Sequence, residues 1–276
     1  WGDFGPSLAR DPADADREDL VPAMELRDPR KLCVKSWCGS AFAIDQSGAL
    51  WGWGSSISGS LGNGMTEGGP DAPVRILDAV SDVRYSAELS LALKTDGSLW
   101  VWGGMWSSRP VWVMDGVGAI SDGGLVLTRS GEVWSCRVTG TLPEGAVSPD
   151  IFEPYVPAAA DGRVILSDGG RYSLEASPWR AEPLCAYLVL ERELSGCVKV
   201  EDRFAFDAFG GAWMIDPYGA SDAVWLCGDA VHACVQTVGP ERCAVVLGRD
   251  GVLRRFAADG TGGQAVADSV KQVVRG

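Results

Sequence analysis

The residues of this chain best suited to bind a metal ion surround its only histidine. His232 and Cys234 stand two positions apart, and Cys227 and Cys243 are the next cysteines on either side. Three thiolates and an imidazole form a zinc ligand set, but these spacings match no common zinc pattern, and His232 and Cys234 fall within one predicted strand. We therefore predict no metal site and no cofactor, and we interpret the irregularly spaced cysteines as buried, unpaired thiols.

The acidic segment 11–19 carries alternating carboxylates of the kind found in calcium loops. It lacks the glycine that such a loop needs at its sixth position and the closing glutamate. We interpret it as a solvated turn or short helix.

Catalytic motifs are scarce. A Ser-His-Asp or Cys-His arrangement would have to use His232, no Gly-x-Ser-x-Gly elbow occurs, and the glycine-rich stretch 260–264 lacks the lysine of a phosphate loop. We therefore predict that the protein is not an enzyme. Because aspartate and glutamate are plentiful, paired carboxylates for glycoside hydrolysis keep a polysaccharide-acting enzyme open as an alternative.

The candidate binding residues are aromatic and guanidinium side chains in predicted loops. Six of the twelve tryptophans recur at repeated positions and are assigned to packing. Exposed aromatic and arginine residues are favoured anchors of protein interfaces. The predicted interface is Trp106, Arg109, Trp112, Trp179 and Arg180.

Composition and charge limit the classes of molecule that the protein is expected to bind. The formal net charge is −13, which repels nucleic-acid phosphates and anionic lipids. No apolar run approaches the roughly 18 residues that a membrane helix needs. We expect the protein to bind another protein and not nucleic acid, to remain outside the membrane and to be a monomer. The sequence indicates no particular cellular compartment.

Two apolar runs separated by Asp96-Gly97, within residues 89–104, predict a β-hairpin. Similar hairpins recur at an average interval of about 41 residues, which is the period of propeller blades. The predicted hairpins span residues 42–54, 91–103, 125–136, 164–174, 204–215 and 245–256.

The two ends of the chain align with different parts of one repeat. Residues 270–276 match the segment that precedes a hairpin, and the opening tryptophan and glycine match the end of one. We therefore predict a single all-β domain, residues 1–276, folded as a seven-bladed propeller of four-stranded blades. Its last blade would be shared between residues 270–276 and 1–26 and would be incomplete in this chain.

Segments 92–103 (ALKTDGSLWVWG) and 53–64 (WGSSISGSLGNG) resemble the regulator of chromosome condensation repeat. That family pattern runs from an Ala-Leu strand through Asp-Gly and an aromatic residue to Trp-Gly and a glycine-rich turn. The resemblance implies a seven-bladed β-propeller of a divergent, bacterial-type member. The histidine that usually precedes the Ala-Leu strand is replaced by Ser40 in one copy and Leu89 in the next.

Members of this family differ in activity and include an exchange factor for a small nuclear GTPase, a plant ultraviolet receptor and a secreted β-lactamase inhibitor. What they share is a rigid scaffold with exposed loops that bind proteins. The resemblance therefore implies a non-enzymatic protein–protein interaction platform. The alternatives are the polysaccharide-acting enzyme and a structural spacer module within a longer surface protein.

Overall fold

The computed structural model describes residues 29–35, 39–70, 72–86, 89–139, 146–147, 164–168, 171–175, 187–216, 222–238, 241–268 and 270. Strands and turns account for nearly all of them, so the all-β prediction is confirmed. No helix within these ranges is long and apolar enough to cross a membrane. The chain divides into two compact units: Trp1–Asp115 with Val138–Val189, and Gly116–Arg137 with Leu190–Gly276. The prediction of a single domain stays a prediction.

The first unit contains two antiparallel four-stranded sheets whose strands follow each other in sequence order. The first sheet consists of β1 (Lys31–Lys35), β2 (Ser40–Ile44), β3 (Leu50–Gly54) and β4 (Val74–Leu77). The second consists of β5 (Val80–Ser86), β6 (Leu89–Lys94), β7 (Leu99–Gly103) and β8 (Ser107–Met114).

The second strand of each of these sheets is apolar on both faces and is buried on both. All five residues of β2 are buried, and so are the first five of β6. In β3, buried and half-buried residues alternate, as expected for a strand with one covered face. The core of the unit contains Phe42, which stacks on Tyr85 at 5.1 Å and meets Trp102 edge-on at 5.6 Å between ring centroids.

The third sheet follows the second along the chain. It begins with β9 (Val117–Ile120), β10 (Leu125–Thr128) and β11 (Val133–Thr139). Next come β12 (Ala146–Val147) and a hairpin of β13 (Val164–Asp168) and β14 (Arg171–Glu175). The fourth strand of the sheet that begins with β9, β10 and β11 is β15 (Tyr187–Leu194), which lies beside β11.

The predicted hairpin at 164–174 is present as the antiparallel pair of β13 and β14, in which Leu166 lies opposite Ser173. The described residues contain five sheets, and the total of seven blades stays a prediction.

Two more four-stranded sheets complete the second unit. One consists of β16 (Cys197–Glu201), β17 (Phe204–Asp207), β18 (Ala212–Met214) and β19 (Val224–Cys227). The other consists of β20 (Ala230–Val238), β21 (Glu241–Gly248), β22 (Leu253–Ala257) and β23 (Gly262–Ala267). Buried Phe204, Phe206 and Phe256 pack between these two sheets.

A recurring hydrogen bond joins the hairpin turn of one sheet to the first strand of the next. The carbonyl of Gly48 accepts the N–H of Val80 at 2.8 Å, and the carbonyl of Gly210 accepts the N–H of Ala230 at 2.8 Å. Gly48 and Gly210 have φ of +83° and +95°, values that only glycine adopts at little cost. The same turn-to-strand bond links Gly131 with Cys197 at 2.9 Å.

The last turn-to-strand bond concerns the predicted shared blade. The N–H of Val270 donates to the carbonyl of Gly251 at 2.9 Å, so Val270 makes the bond that the first residue of a following sheet makes elsewhere in the chain. The rest of that predicted blade, residues 271–276 and 1–26, lies outside the described residues.

Candidate functional site

The connection between β3 and β4 is the most elaborate described loop of the first unit. We call residues 55–68 the glycine-rich loop. Two backbone hydrogen bonds close it on itself, from the N–H of Ser56 to the carbonyl of Gly68 at 2.6 Å and from Ser58 to Thr66 at 3.0 Å. A third, from Gly64 to the carbonyl of Ser108 at 2.8 Å, ties it to β8. The loop is therefore a fixed part of the scaffold.

Buried serines fasten the glycine-rich loop to the sheets beneath it. The carbonyl of Ser60 accepts the hydroxyl of Ser90 at 2.9 Å and the indole Nε1–H of Trp102 at 3.0 Å. The hydroxyl of Ser40 donates to the carbonyl of Ser55 at 2.6 Å. Because Ser60, Ser90 and Trp102 are buried, these bonds compensate for polar groups that water does not reach.

Three large apolar side chains project from this region into solvent, and we call them the apolar patch: Ile57, Met65 and Met105. Their exposed fractions are 56%, 43% and 55%. They lie close together because the N–H of Met105 donates to the carbonyl of Ser58 at 3.1 Å, and Ser58 in turn bonds to Thr66.

The backbone beneath the apolar patch is strained. Ser58 and Met105 have φ of +57° and +60°, a left-handed conformation that costs a residue with a side chain roughly 1–2 kcal/mol. Strain of this kind persists only where the surrounding structure enforces it, and it concentrates at functional sites. The patch is thus held exposed by the fold at an energetic cost.

A groove of about 520 Å³ runs beside the apolar patch. Most of its lining is apolar, and its charged groups are two guanidinium groups. The lining residues are Gly62, Asn63, Met65, Pro70, Val74, Arg75, Ile76, Leu77, Trp100, Arg109, Pro110 and Val111. Met65 belongs to both the groove and the apolar patch, so the two form one continuous surface.

The two arginines of the groove differ in their surroundings. Arg75 is held by Asp78, whose carboxylate lies 2.7 Å from its Nε and 2.6 Å from its Nη2. Arg109 forms no ion pair within the described part of the chain, and its guanidinium lies directly over Gly64. A Cβ at Gly64 would come within 2.7 Å of the Arg109 Cζ, so the missing side chain leaves room for the guanidinium.

The predicted interface residues have different positions in the structure. Arg109 lines the groove, and Trp112 on β8 lies opposite Trp100 and donates its Nε1–H to Asp115 at 3.0 Å. Trp106 is only 1% exposed, so the prediction that it is an exposed anchor is corrected: its indole belongs to the core. Trp179 and Arg180 lie outside the described residues, as does the acidic segment 11–19.

His232 pairs with a carboxylate and a lysine between two sheets of the second unit. Its Nδ1 lies 3.0 Å from Glu201, and Lys199 Nζ lies 2.8 Å from the same carboxylate. Partial burial alone would raise the pKa of Glu201, but the hydrogen bonds from Lys199 and His232 lower that pKa on balance. Within the described residues, no three His, Cys, Asp or Glu side chains are grouped to hold a metal ion.

Two further cavities lie in the second unit. One of about 780 Å³ is lined by Arg242, Arg255 and Asp259, among others, and one of about 150 Å³ by Arg203 and Asp216, among others. Among the described lining residues, each of these two cavities has a single carboxylate, and the groove of the first unit has none. Glycoside hydrolysis requires two facing carboxylates, and the described linings of these three cavities supply no such pair.

Sequence reasoning missed the apolar patch. Ile57 lies inside segment 53–64, one of the two segments that carry the family resemblance, and Met65 follows that segment directly. The available signal was the presence of large apolar residues in a loop rich in glycine and serine, where solvent exposure is the rule.

Comparisons with known proteins bear on the fold. No protein family model matches the chain, and no curated protein matches it. Human WBSCR16, an RCC1-like protein, is similar in structure with a TM-score of 0.51 and 12% sequence identity, over 95% of this chain and 72% of that one.

Two yeast structures align less well. Prp20p from Saccharomyces cerevisiae, studied for its binding to Gsp1p and histones, has a TM-score of 0.42 and 14% identity over 91% of this chain. Yeast RCC1 (Prp20) bound to Kap60 has a TM-score of 0.42 and 14% identity over 84% of this chain. The chain spans 51% and 60% of the length of these two chains.

The four-stranded antiparallel sheets, the repeated turn-to-strand bonds and the similarity to WBSCR16 lead to the same conclusion. This chain has an RCC1-like β-propeller fold.

Proposed function

We propose that the protein is a non-enzymatic interaction platform that binds another protein through the apolar patch. The observation that carries the proposal is the exposure of Ile57, Met65 and Met105 on a loop that buried hydrogen bonds hold in place. Contiguous exposed apolar side chains, surrounded by polar residues, are typical of protein interaction sites.

The rigidity of the glycine-rich loop favours binding. Ordering a flexible loop at an interface opposes association, and a loop that is already fixed avoids this cost. Methionine side chains are flexible and polarisable, and they adapt to partner surfaces of different shape. The backbone of the patch is thus preorganised while two of its three side chains adjust.

The cavities support the non-enzymatic part of the proposal. The residues described around these three cavities do not include the two facing carboxylates that a polysaccharide-acting enzyme would use. An RCC1-like fold hosts more than one function, so the fold alone does not decide between a binding platform and a spacer module. The strained, exposed patch favours the platform, because a spacer has no use for it.

The test is quantitative affinity capture from an extract of the source cells, followed by binding measurements with the purified partner. The patch variant carries Ile57→Ser, Met65→Ser and Met105→Asn, since asparagine tolerates a positive φ better than most residues. The matched control carries Val198→Ser and Val266→Ser, which remove apolar side chains that are 60% and 52% exposed elsewhere.

We expect one partner to bind wild type and control with equal affinity and to bind the patch variant at least about tenfold more weakly, a loss of about 1.4 kcal/mol. All three proteins should have the same circular dichroism and melting temperature. Equal affinity for all three, or no protein captured by wild type and lost from the patch variant, would refute the proposal.

A further inference from the structure

We infer that the groove beside the apolar patch binds an extended peptide segment in which a carboxylate side chain neighbours an apolar one. The inference rests on the proposed function and specifies the partner's chemistry at a second contact. Met65 connects the two surfaces, so a protein that covers the apolar patch is placed to extend a segment into the groove.

Charge indicates what enters the groove. Arg75 is neutralised by Asp78, whereas Arg109 forms no ion pair within the part of the chain that the structure describes. The described residues that line the groove include no carboxylate, although the protein as a whole has a net charge of −13. An uncompensated guanidinium in such a protein favours a ligand that supplies the missing carboxylate, because arginine and carboxylate form paired, charge-assisted hydrogen bonds.

Shape indicates a peptide. A volume of about 520 Å³ is within the range of small-ligand sites and accommodates a few side chains of an extended segment. The walls formed by Val74, Ile76 and Trp100 offer apolar contact, and the guanidinium at one position fixes the register. Such a combination, with an apolar trough for affinity and one charge for orientation, is typical of recognition of short peptide segments.

The backbone that carries Arg109 is fixed before binding. Its N–H donates to the hydroxyl of Ser107 at 3.2 Å, and its carbonyl accepts the same hydroxyl at 2.7 Å, while the exposed guanidinium lies against the backbone of Gly64. Little backbone freedom is therefore lost when a carboxylate binds.

The experiment selects twelve-residue peptides from a random phage-displayed library on the full chain and measures the affinity of the selected peptides by fluorescence anisotropy. Each peptide is compared with a version in which its aspartate or glutamate is replaced by the corresponding amide. The protein variants are Arg109→Gln, Arg109→Lys and, as the matched control, Arg249→Gln, which removes an exposed arginine outside the groove.

We expect the selected peptides to contain a carboxylate next to an apolar residue. Arg109→Gln should weaken their binding by about tenfold, Arg109→Lys by less, and Arg249→Gln by less than twofold. The amide version should bind wild type and Arg109→Gln equally, because an amide cannot form the ion pair with Arg109 that the substitution removes. Affinity for the acidic peptide should fall as salt concentration rises.

Three results would overturn the inference: no peptide selected, selected peptides without a carboxylate, or equal binding to wild type and Arg109→Gln. The proposed function fails separately. If the apolar-patch variant loses the partner protein while Arg109→Gln binds both partner and peptides as wild type does, the platform stands and the groove inference falls.

Discussion

Removing both hydrogen-bond donors to the Ser60 carbonyl should destabilise the protein by more than the sum of removing each one. This buried carbonyl accepts bonds from Ser90 at 2.9 Å and Trp102 at 3.0 Å. Ser90→Ala or Trp102→Phe alone leaves it one partner, so each should lower the free energy of unfolding by about 1 kcal/mol for the lost bond. Trp102→Phe adds about 1–2 kcal/mol for the volume lost in the core.

The double variant leaves the carbonyl with neither donor and without access to water. Such a buried, unsatisfied acceptor costs about 1–3 kcal/mol, which appears as a coupling energy between the two substitutions of about 1 kcal/mol or more. The volume lost from Trp102 contributes equally to both sides of the cycle and cancels.

The assay is urea unfolding of wild type, the two single variants and the double variant, followed by far-ultraviolet circular dichroism. A control cycle combines Trp102→Phe with Ser81→Ala, whose hydroxyl donates to the carbonyl of Leu93 at 2.9 Å and shares no partner with Trp102. The control should be additive within about 0.5 kcal/mol. Additivity in the Ser90 cycle as well would show that Ser60 is not the shared acceptor, and the reasoning would fail.

Three further outcomes are expected. Hydrogen bonds, chiefly from the Ser47 hydroxyl, lower the pKa of Asp45 from 3.8 to about 2. The ionised Asp45 carboxylate therefore stabilises the folded protein fully above pH 3.8, and this stabilisation is lost as the pH falls toward 2. In urea unfolding, Asp45→Asn should cost about 1 kcal/mol at neutral pH and flatten the stability curve in that acid range. Gly59→Ala should lower the melting temperature more than Gly116→Ala. The two glycines have similar φ values, +74° and +76°, but a Cβ at Gly59 would lie 2.8 Å from the backbone of β8, whereas a Cβ at Gly116 would have no atom within 4 Å. Burial raises the pKa of the Cys136 thiol to about 12. Mass spectrometry should therefore find Cys136 unlabelled by iodoacetamide at pH 8 in the native protein and labelled in urea, and labelling of the native protein would contradict its burial.

Local patterns were enough to predict the fold class. Asp-Gly and Ser-Gly turns between apolar runs specify hairpins through short-range geometry, as at Gly48 and Gly97, whose φ values are +83° and +92°. Strands that are apolar on both faces had to lie between other layers, and β6 does. These features depend on neighbours in sequence, so a single sequence shows them.

Contacts between segments distant in sequence were not predictable in the same way. The Ser60 carbonyl accepts hydrogen bonds from Ser90 and Trp102, which lie 30 and 42 positions further along the chain. The spacing of motifs does not report such contacts.

The candidate site shows the same limit on a smaller scale. Arg109 was predicted and lines the groove, whereas Trp106, its near neighbour in sequence, is buried. The left-handed conformation of Met105 exposes its side chain while that of the next residue lies in the core. The sequence analysis chose Trp106 because exposed aromatic side chains are favoured interface anchors, whereas the structure buries Trp106 and exposes Met105.

The turn-to-strand bonds restrict where this chain can accommodate extra length. A turn whose glycine carbonyl must meet the following strand, as Gly48 meets Val80 and Gly210 meets Ala230, cannot be lengthened without breaking that bond. The glycine-rich loop between β3 and β4 is longer but equally fixed, because Gly64 bonds to Ser108 and the Ser60 carbonyl accepts bonds from Ser90 and Trp102. Epitope tags, reporter insertions and natural length variation should therefore be rejected both at the glycine turns and within this loop.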